Sequence, residues 1–149
     1  MTQYVLLSPD TTKVATWFAG PQEGQDNYAE IEDTDARYLA YEVMHAAPAA
    51  YASAVAAGCQ IVSTGTPSIS GTYGIGSQDE INLNSLQAGI AASAPWLGGY
   101  RDIAGAKHTM TAPQFTAIAT AILGYVEALD EWYAGGCVGS APAQPVTIS

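Results

Sequence analysis

The sequence predicts an α+β fold in which helices are segregated against antiparallel β-hairpins. Two observations carry this reading. β-prone runs arrive in pairs around turn residues, and the runs with three- and four-residue apolar spacing carry helix-capping signals. The predicted order is β-β-β-α-α, then β-β-α-β-β-α. A division is expected at Gly58, with residues 1–57 forming an N-terminal hairpin plus helices. Residues 58–149 are expected to form a hairpin-helix-hairpin-helix domain with an extended tail.

Gln3–Ser8 and Lys13–Phe18 read as strands joined by Pro9-Asp10-Thr11-Thr12, where proline presets φ and aspartate bonds nearby backbone. Tyr28–Glu32 alternates as a third strand, with Glu30 and Glu32 outward. Asp33 or Thr34 is the expected cap of a helix carrying Tyr38, Leu39, Val43 and Met44, which Pro48 is expected to interrupt. A second helical run then reaches Gly58. Cys59–Thr64 and Gly71–Ile75 flank the turn-rich Gly65–Ser70 as a second hairpin. Ser77 with Glu80 reads as a capping box for a helix ending near Pro95.

The strongest local signal is Tyr100–Tyr133. Tyr100–Asp102 and Lys107–Thr111 form a hairpin that feeds a helix with the capping box Thr111-Ala-Pro-Gln114. Phe115, Ile118, Ala119, Ile122, Val126, Leu129 and Tyr133 share one face, and Gly135-Gly136 ends it. Gly124 interrupts good helix formers and suggests a close backbone approach. The tail Ser140–Ser149 is Pro- and Ala-rich with a β-prone end at Val146–Ile148. That end is expected to join a sheet or lie in an interface.

Fourteen acidic residues against four basic ones give a formal charge of −10, which repels phosphate backbones and argues against nucleic acid as a partner. Half of the acids (Glu23, Asp26, Glu30, Glu32, Asp33, Asp35 and Glu42) crowd one stretch that contains Arg37 as its sole base. No run approaches the ~20 apolar residues of a membrane span, and no leader pattern opens the chain, so a cytosolic, membrane-free protein is expected when it is made. Cys59 and Cys137 have no metal-ligand spacing and are expected to stay reduced.

No reaction centre stands out. Asp102 and His108 lie on opposite arms of the predicted hairpin, but no nucleophile-elbow motif accompanies them, so a structural histidine is expected. His45 is expected near a helix end, where a partly cationic ring interacts well with the dipole. Glu30–Asp35 offers oxygen donors without the spacing or central glycine of a calcium loop. Gly71-Thr-Tyr-Gly-Ile-Gly76 precedes a helix but lacks the lysine and hydroxyl residue of a phosphate loop. No catalytic residue, cofactor or metal ligand is assigned. Trp96, Tyr100, Trp132 and Tyr133 are the candidate partner-binding residues, since aromatics flanking loops and helix ends are enriched at interfaces.

Five segments carry a family resemblance: QYVLLSPDTTKVATWFAGPQ with DARYLAY, AAGCQIVSTGTPSISGTYGI, the block from Gly105-Ala-Lys-His108 through Leu129, and PAQPVTIS. Together they resemble small bacteriophage and prophage tail-module proteins associated with tail-fibre genes, whose C-terminal domain has no assigned function. The resemblance spans nearly the whole chain and supplies no catalytic residues. It implies a non-enzymatic protein binding a tail-fibre or baseplate component, either as a part of the virion tail or as an assembly chaperone. Homo-oligomer formation is left open. The alternative is a receptor-recognition module that stacks host-surface sugars on Trp96 and Tyr100. A hydrolase built on His108 ranks last.

Overall fold

The computed structural model describes residues 1–22 and 24–149; Glu23, counted above in the acidic stretch, lies outside the described residues. The α+β class is observed, with three small sheets and three α-helices among the described residues.

Strands β1 (Thr2–Leu7), β2 (Val14–Phe18) and β3 (Tyr28–Glu32) form an antiparallel sheet in the order β2-β1-β3. The first turn works as its residues dictate. Asp10 Oδ1 accepts hydrogen bonds from Ser8 Oγ (2.5 Å) and Thr12 N (3.1 Å), which hold its pKa down to about 2. The inner face of this sheet supplies Val5, Leu7, Val14 and Ile31 to a small core closed by Tyr38.

Helix α1 runs unbroken from Ala36 to Ala57, so the expected break at Pro48 does not occur. Pro48 stands on the exposed side of the helix, where the Met44 carbonyl that loses its donor can face water, and the flanking alanines sustain the helix. The cap also shifts by a residue or two: it is Asp35, whose side chain accepts from Arg37 N at 2.9 Å. Of the apolar residues that the helix carries, Tyr38 is buried, whereas Leu39, Val43 and Met44 are 47%, 39% and 70% exposed. The start of α1 packs against the N-terminal core, whereas Tyr51, Ala54 and Val55 pack against the larger one. In packing terms the boundary between the cores therefore falls inside α1, upstream of Gly58.

The larger core is built around α3 (Ala112–Ala134). Its capping box forms as the sequence dictates: Gln114 N donates to Thr111 Oγ1 at 3.4 Å and Thr111 N to Gln114 Oε1 at 2.8 Å. Phe115, Ile118, Ala119, Ile122, Val126 and Leu129 are buried; Tyr125 joins them, and Tyr133 is 42% exposed. A Cβ added at Gly124 would meet nothing within 4 Å, so no close approach requires glycine there.

Into the core around α3 pack residues of β4 (Cys59–Ser63), β5 (Gly71–Tyr73), α2 (Ser77–Ala91) and β6 (Gly99–Arg101), and β7 (Lys107–Thr109) pairs with β6. Gly58 ends α1 with φ +74°, where an added Cβ would sit 2.7 Å from Tyr73 O. Helix α2 starts one residue earlier than expected. Gly76 is its cap and Asp79, not Glu80, reaches back, its Oδ2 accepting from Gly76 N at 3.1 Å. The β-prone tail becomes β8 (Val146–Ile148), which joins β4 in parallel and places Ile61 opposite Val146. No helix among the described residues is long and apolar enough to cross a membrane.

Candidate functional site

The β6–β7 hairpin places Tyr100 directly opposite His108. Its turn is held by Asp102, whose Oδ1 accepts from Ala106 N at 2.8 Å. Asp102 Oδ2 lies 3.0 Å from His108 Nε2, and His108 Nδ1 lies 2.9 Å from Ser68 O in the short 3-10 turn Pro67–Ile69. The His108 and Asp102 side chains are only 15% and 13% exposed. A carbonyl and an ionised carboxylate both accept, so the two contacts are satisfied together only when both ring nitrogens carry protons. The Ser68 carbonyl and then the Asp102 carboxylate raise the His108 pKa above its ordinary value, and the imidazolium holds Asp102 below its own.

That geometry leaves no ring nitrogen free to take a proton from a nucleophile, and no serine or threonine hydroxyl is bonded to His108 among the described residues. The pair is a fastener. Together with the bond from Ile103 N to Thr72 O (2.9 Å), it ties the β6–β7 hairpin to β5 and the preceding turn. Gly71 makes room for it, since a Cβ there would lie 3.0 Å from His108 Nε2.

The four candidate partner-binding aromatics separate into two groups. Trp96 is half-buried, its ring centroid 4.8 Å from that of Phe115, and its indole N–H donates to Met110 O at 2.7 Å. Tyr100 packs 5.3 Å from Phe115 and 6.1 Å from Tyr73, whose phenol is pushed up to about 12 by burial. Phe115, read from the sequence as part of the apolar face of α3, is thus the post on which both rest. Beside Tyr100 opens a groove of about 490 Å³ whose lining includes Asp79, Asn82, Leu97, Arg101 and Lys107. Leu97 on its rim is 82% exposed.

Trp132 and Tyr133 sit at the other end of α3, 17 positions beyond Phe115 and hence roughly 25 Å away along the axis. Trp132 packs on the core with its indole nitrogen buried and without a partner among the described residues. The Tyr133 ring lies 4.7 Å from that of Tyr51, whose hydroxyl donates to Asp130 at 2.6 Å and has its pKa raised to about 12 by that bond. Tyr133 and Met44 border a cleft of about 320 Å³.

The remaining motifs resolve locally. His45 lies in the middle of α1, not at a helix end, so the dipole explanation does not apply; its ring lies 4.1 Å from that of Tyr41. Asp35 is engaged by Arg37 at 2.8 Å. No group of three or more His, Cys, Asp or Glu side chains among the described residues is arranged to hold a metal ion. At Gly71–Gly76 the helix N-terminus is taken by the chain's own Asp79 carboxylate, where a bound phosphate would have to sit. Cys59 is buried, which pushes its thiol up to about 11, and Cys137 is also free, its Sγ 3.4 Å from Ala47 O. Compared with models of protein families, with curated proteins and with solved structures, the chain finds no match.

Proposed function

We propose that this chain is a non-enzymatic bacteriophage tail-module protein that binds a tail-fibre or baseplate component, as a part of the virion tail or as an assembly chaperone. The reading draws on the family resemblance of five segments spread over nearly the whole chain. The observation that carries its non-enzymatic part is the His108 fastener: in the one histidine–carboxylate pair among the described residues, which is part-buried, both ring nitrogens are engaged by acceptors. A binding role also suits a molecule with exposed apolar side chains at both ends of α3, Leu97 at one and Tyr133 at the other.

The test is to co-express the chain with tail-fibre polypeptides and to determine the protein content of purified particles. Incorporation into particles identifies a virion part. Absence from particles, combined with a need for the chain to obtain soluble fibre, identifies a chaperone. A chain that neither joins particles nor binds a fibre or baseplate polypeptide contradicts the proposal.

A second reading, recognition of host-surface sugars, is favoured by the groove beside Tyr100, where polar side chains surround an aromatic. Trp96 is a poor stacking platform, because its ring rests on Phe115 and its N–H is already donated. On this reading Asn82→Ala and Arg101→Ala abolish glycan-array binding; an array with no sugar bound rejects it.

A further inference from the structure

The N-terminal sheet ends on β3, whose outer edge pairs with no other strand among the described residues. The register determines which groups lie along that edge. Leu7 N donates to Asn27 O at 3.0 Å and Asp33 N to Met1 O at 2.9 Å, with Gln3 opposite Ile31 and Val5 opposite Ala29 between them. Bonded and non-bonded pairs alternate in an antiparallel ladder, so Asn27, Ala29, Ile31 and Asp33 direct their backbone groups to β1. Tyr28, Glu30 and Glu32 therefore turn theirs outward. Two of those groups are engaged: Tyr28 N donates to Gln25 O at 3.4 Å, and Glu32 O accepts from Asp35 N at 2.9 Å. The Tyr28 carbonyl, both backbone groups of Glu30 and the Glu32 N–H have no hydrogen-bond partner among the described residues and are open to a further strand.

Side chains on the same residues select what that strand can be. Glu30 and Glu32 are exposed on the outer face, while Ala29 and Ile31 alternate with them toward the apolar core. The Met1 ammonium lies 3.5 Å from Glu32 and 3.1 Å from Asp33, and the Tyr28 hydroxyl lies 3.4 Å from Glu30, which has no cationic partner among the described residues. A second copy pairing antiparallel through β3 would set glutamates against glutamates, an unfavourable cross-strand arrangement. A strand that alternates basic with apolar residues meets carboxylates on one face and the core margin on the other.

We propose that β3 is a docking edge for an extended segment of a partner polypeptide, in which Lys or Arg alternates with Val, Ile or aromatic residues, and which adds to the sheet as a fourth strand. This stands apart from the tail-module reading, because it specifies a surface and a chemistry without requiring any particular assembly.

The probe is a pair of ten-residue synthetic peptides, one alternating Lys with Val and the other alternating Glu with Val. Amide hydrogen exchange of the full chain is followed with each. The Lys peptide is expected to protect the Glu30 and Glu32 amides, and the Glu peptide to leave them unchanged. Glu30→Lys with Glu32→Lys inverts the preference. Should that variant fail to fold, Glu30→Gln with Glu32→Gln weakens the Lys peptide roughly fivefold, the sum of two modest cross-strand ion pairs. Equal protection by both peptides, protection located away from β3, no protection at millimolar peptide, or protection of these amides by self-association alone overturns the proposal.

Discussion

His108 Nε2 lies 3.0 Å from Asp102 Oδ2 while the opposite nitrogen of the same ring lies 2.9 Å from Ser68 O, so one imidazole joins two hairpins through both of its edges. The linkage has a definite sign. The folded pKa of His108 is raised, so its stabilisation is complete below the unfolded value of ~6.5 and is lost as pH rises through the folded value. The folded pKa of Asp102 is lowered, so its stabilisation is present above the unfolded value of ~3.9 and is lost as pH falls through the folded value. The wild-type chain should therefore exceed His108→Gln in thermal midpoint most clearly between about pH 4.5 and 6.5, with the gap closing on either side. A gap that does not change with pH would show that the contact is uncharged.

Gly71 and His108 should be energetically coupled. An alanine at position 71 would place its Cβ 3.0 Å from His108 Nε2 and 3.3 Å from Cε1, forcing the ring away from its acceptors. Gly71→Ala is expected to destabilise the wild-type chain and to cost clearly less in a His108→Ala background. A double-mutant cycle by denaturant unfolding reads this directly, and additive effects would place the ring elsewhere.

Phe115 supports both Trp96 and Tyr100 from a fully buried position. Phe115→Ala should cost about 3–5 kcal/mol by urea unfolding, the usual range for emptying an aromatic site in a core. Trp96 fluorescence should shift toward that of a hydrated indole. A loss under 1 kcal/mol would mean that the cavity collapses or that the ring is not packed as described.

Much of this was legible from local signals. The α3 start follows from Thr111 and Gln114, which are close in sequence, and its buried face follows from side-chain periodicity. The proximity of Asp102 and His108 follows from their places across a short turn. What was not legible depends on distant partners. Ser68 reaches His108 from 40 positions away, and β8 finds β4 in parallel across more than 80. Pro48 was misread because a proline inside a helix costs less when the orphaned carbonyl can be solvated. The exposure of Leu39, Val43 and Met44 is likewise non-local, because α1 spans from one core to the other and leaves them uncovered.

Gln144 carries a prediction of that non-local kind. Its Nε2 donates to Gly58 O at 3.0 Å and to the Tyr125 hydroxyl at 2.6 Å, and its Oε1 accepts from Gln60 N at 2.9 Å, just before the chain enters β8. Gln144→Ala strips partners from part-buried groups and should cost about 1–3 kcal/mol. Hydrogen exchange should accelerate first at Thr64, whose amide donates to Ile148 O at 2.9 Å. Unchanged exchange at Thr64 would mean that β8 is held without this glutamine.

If the part-buried His108–Asp102 pair fastens the fold, its imidazole is held as a cation between two acceptors and is not poised as a general base. Nitrogen-15 NMR titration of the His108 ring tests it most directly. The expected result is protons on both Nδ1 and Nε2, slow exchange of both with solvent, and a midpoint above the ~6.5 of an unstructured histidine. A midpoint at or below that value, with one ring nitrogen unprotonated and free near neutral pH, would contradict it.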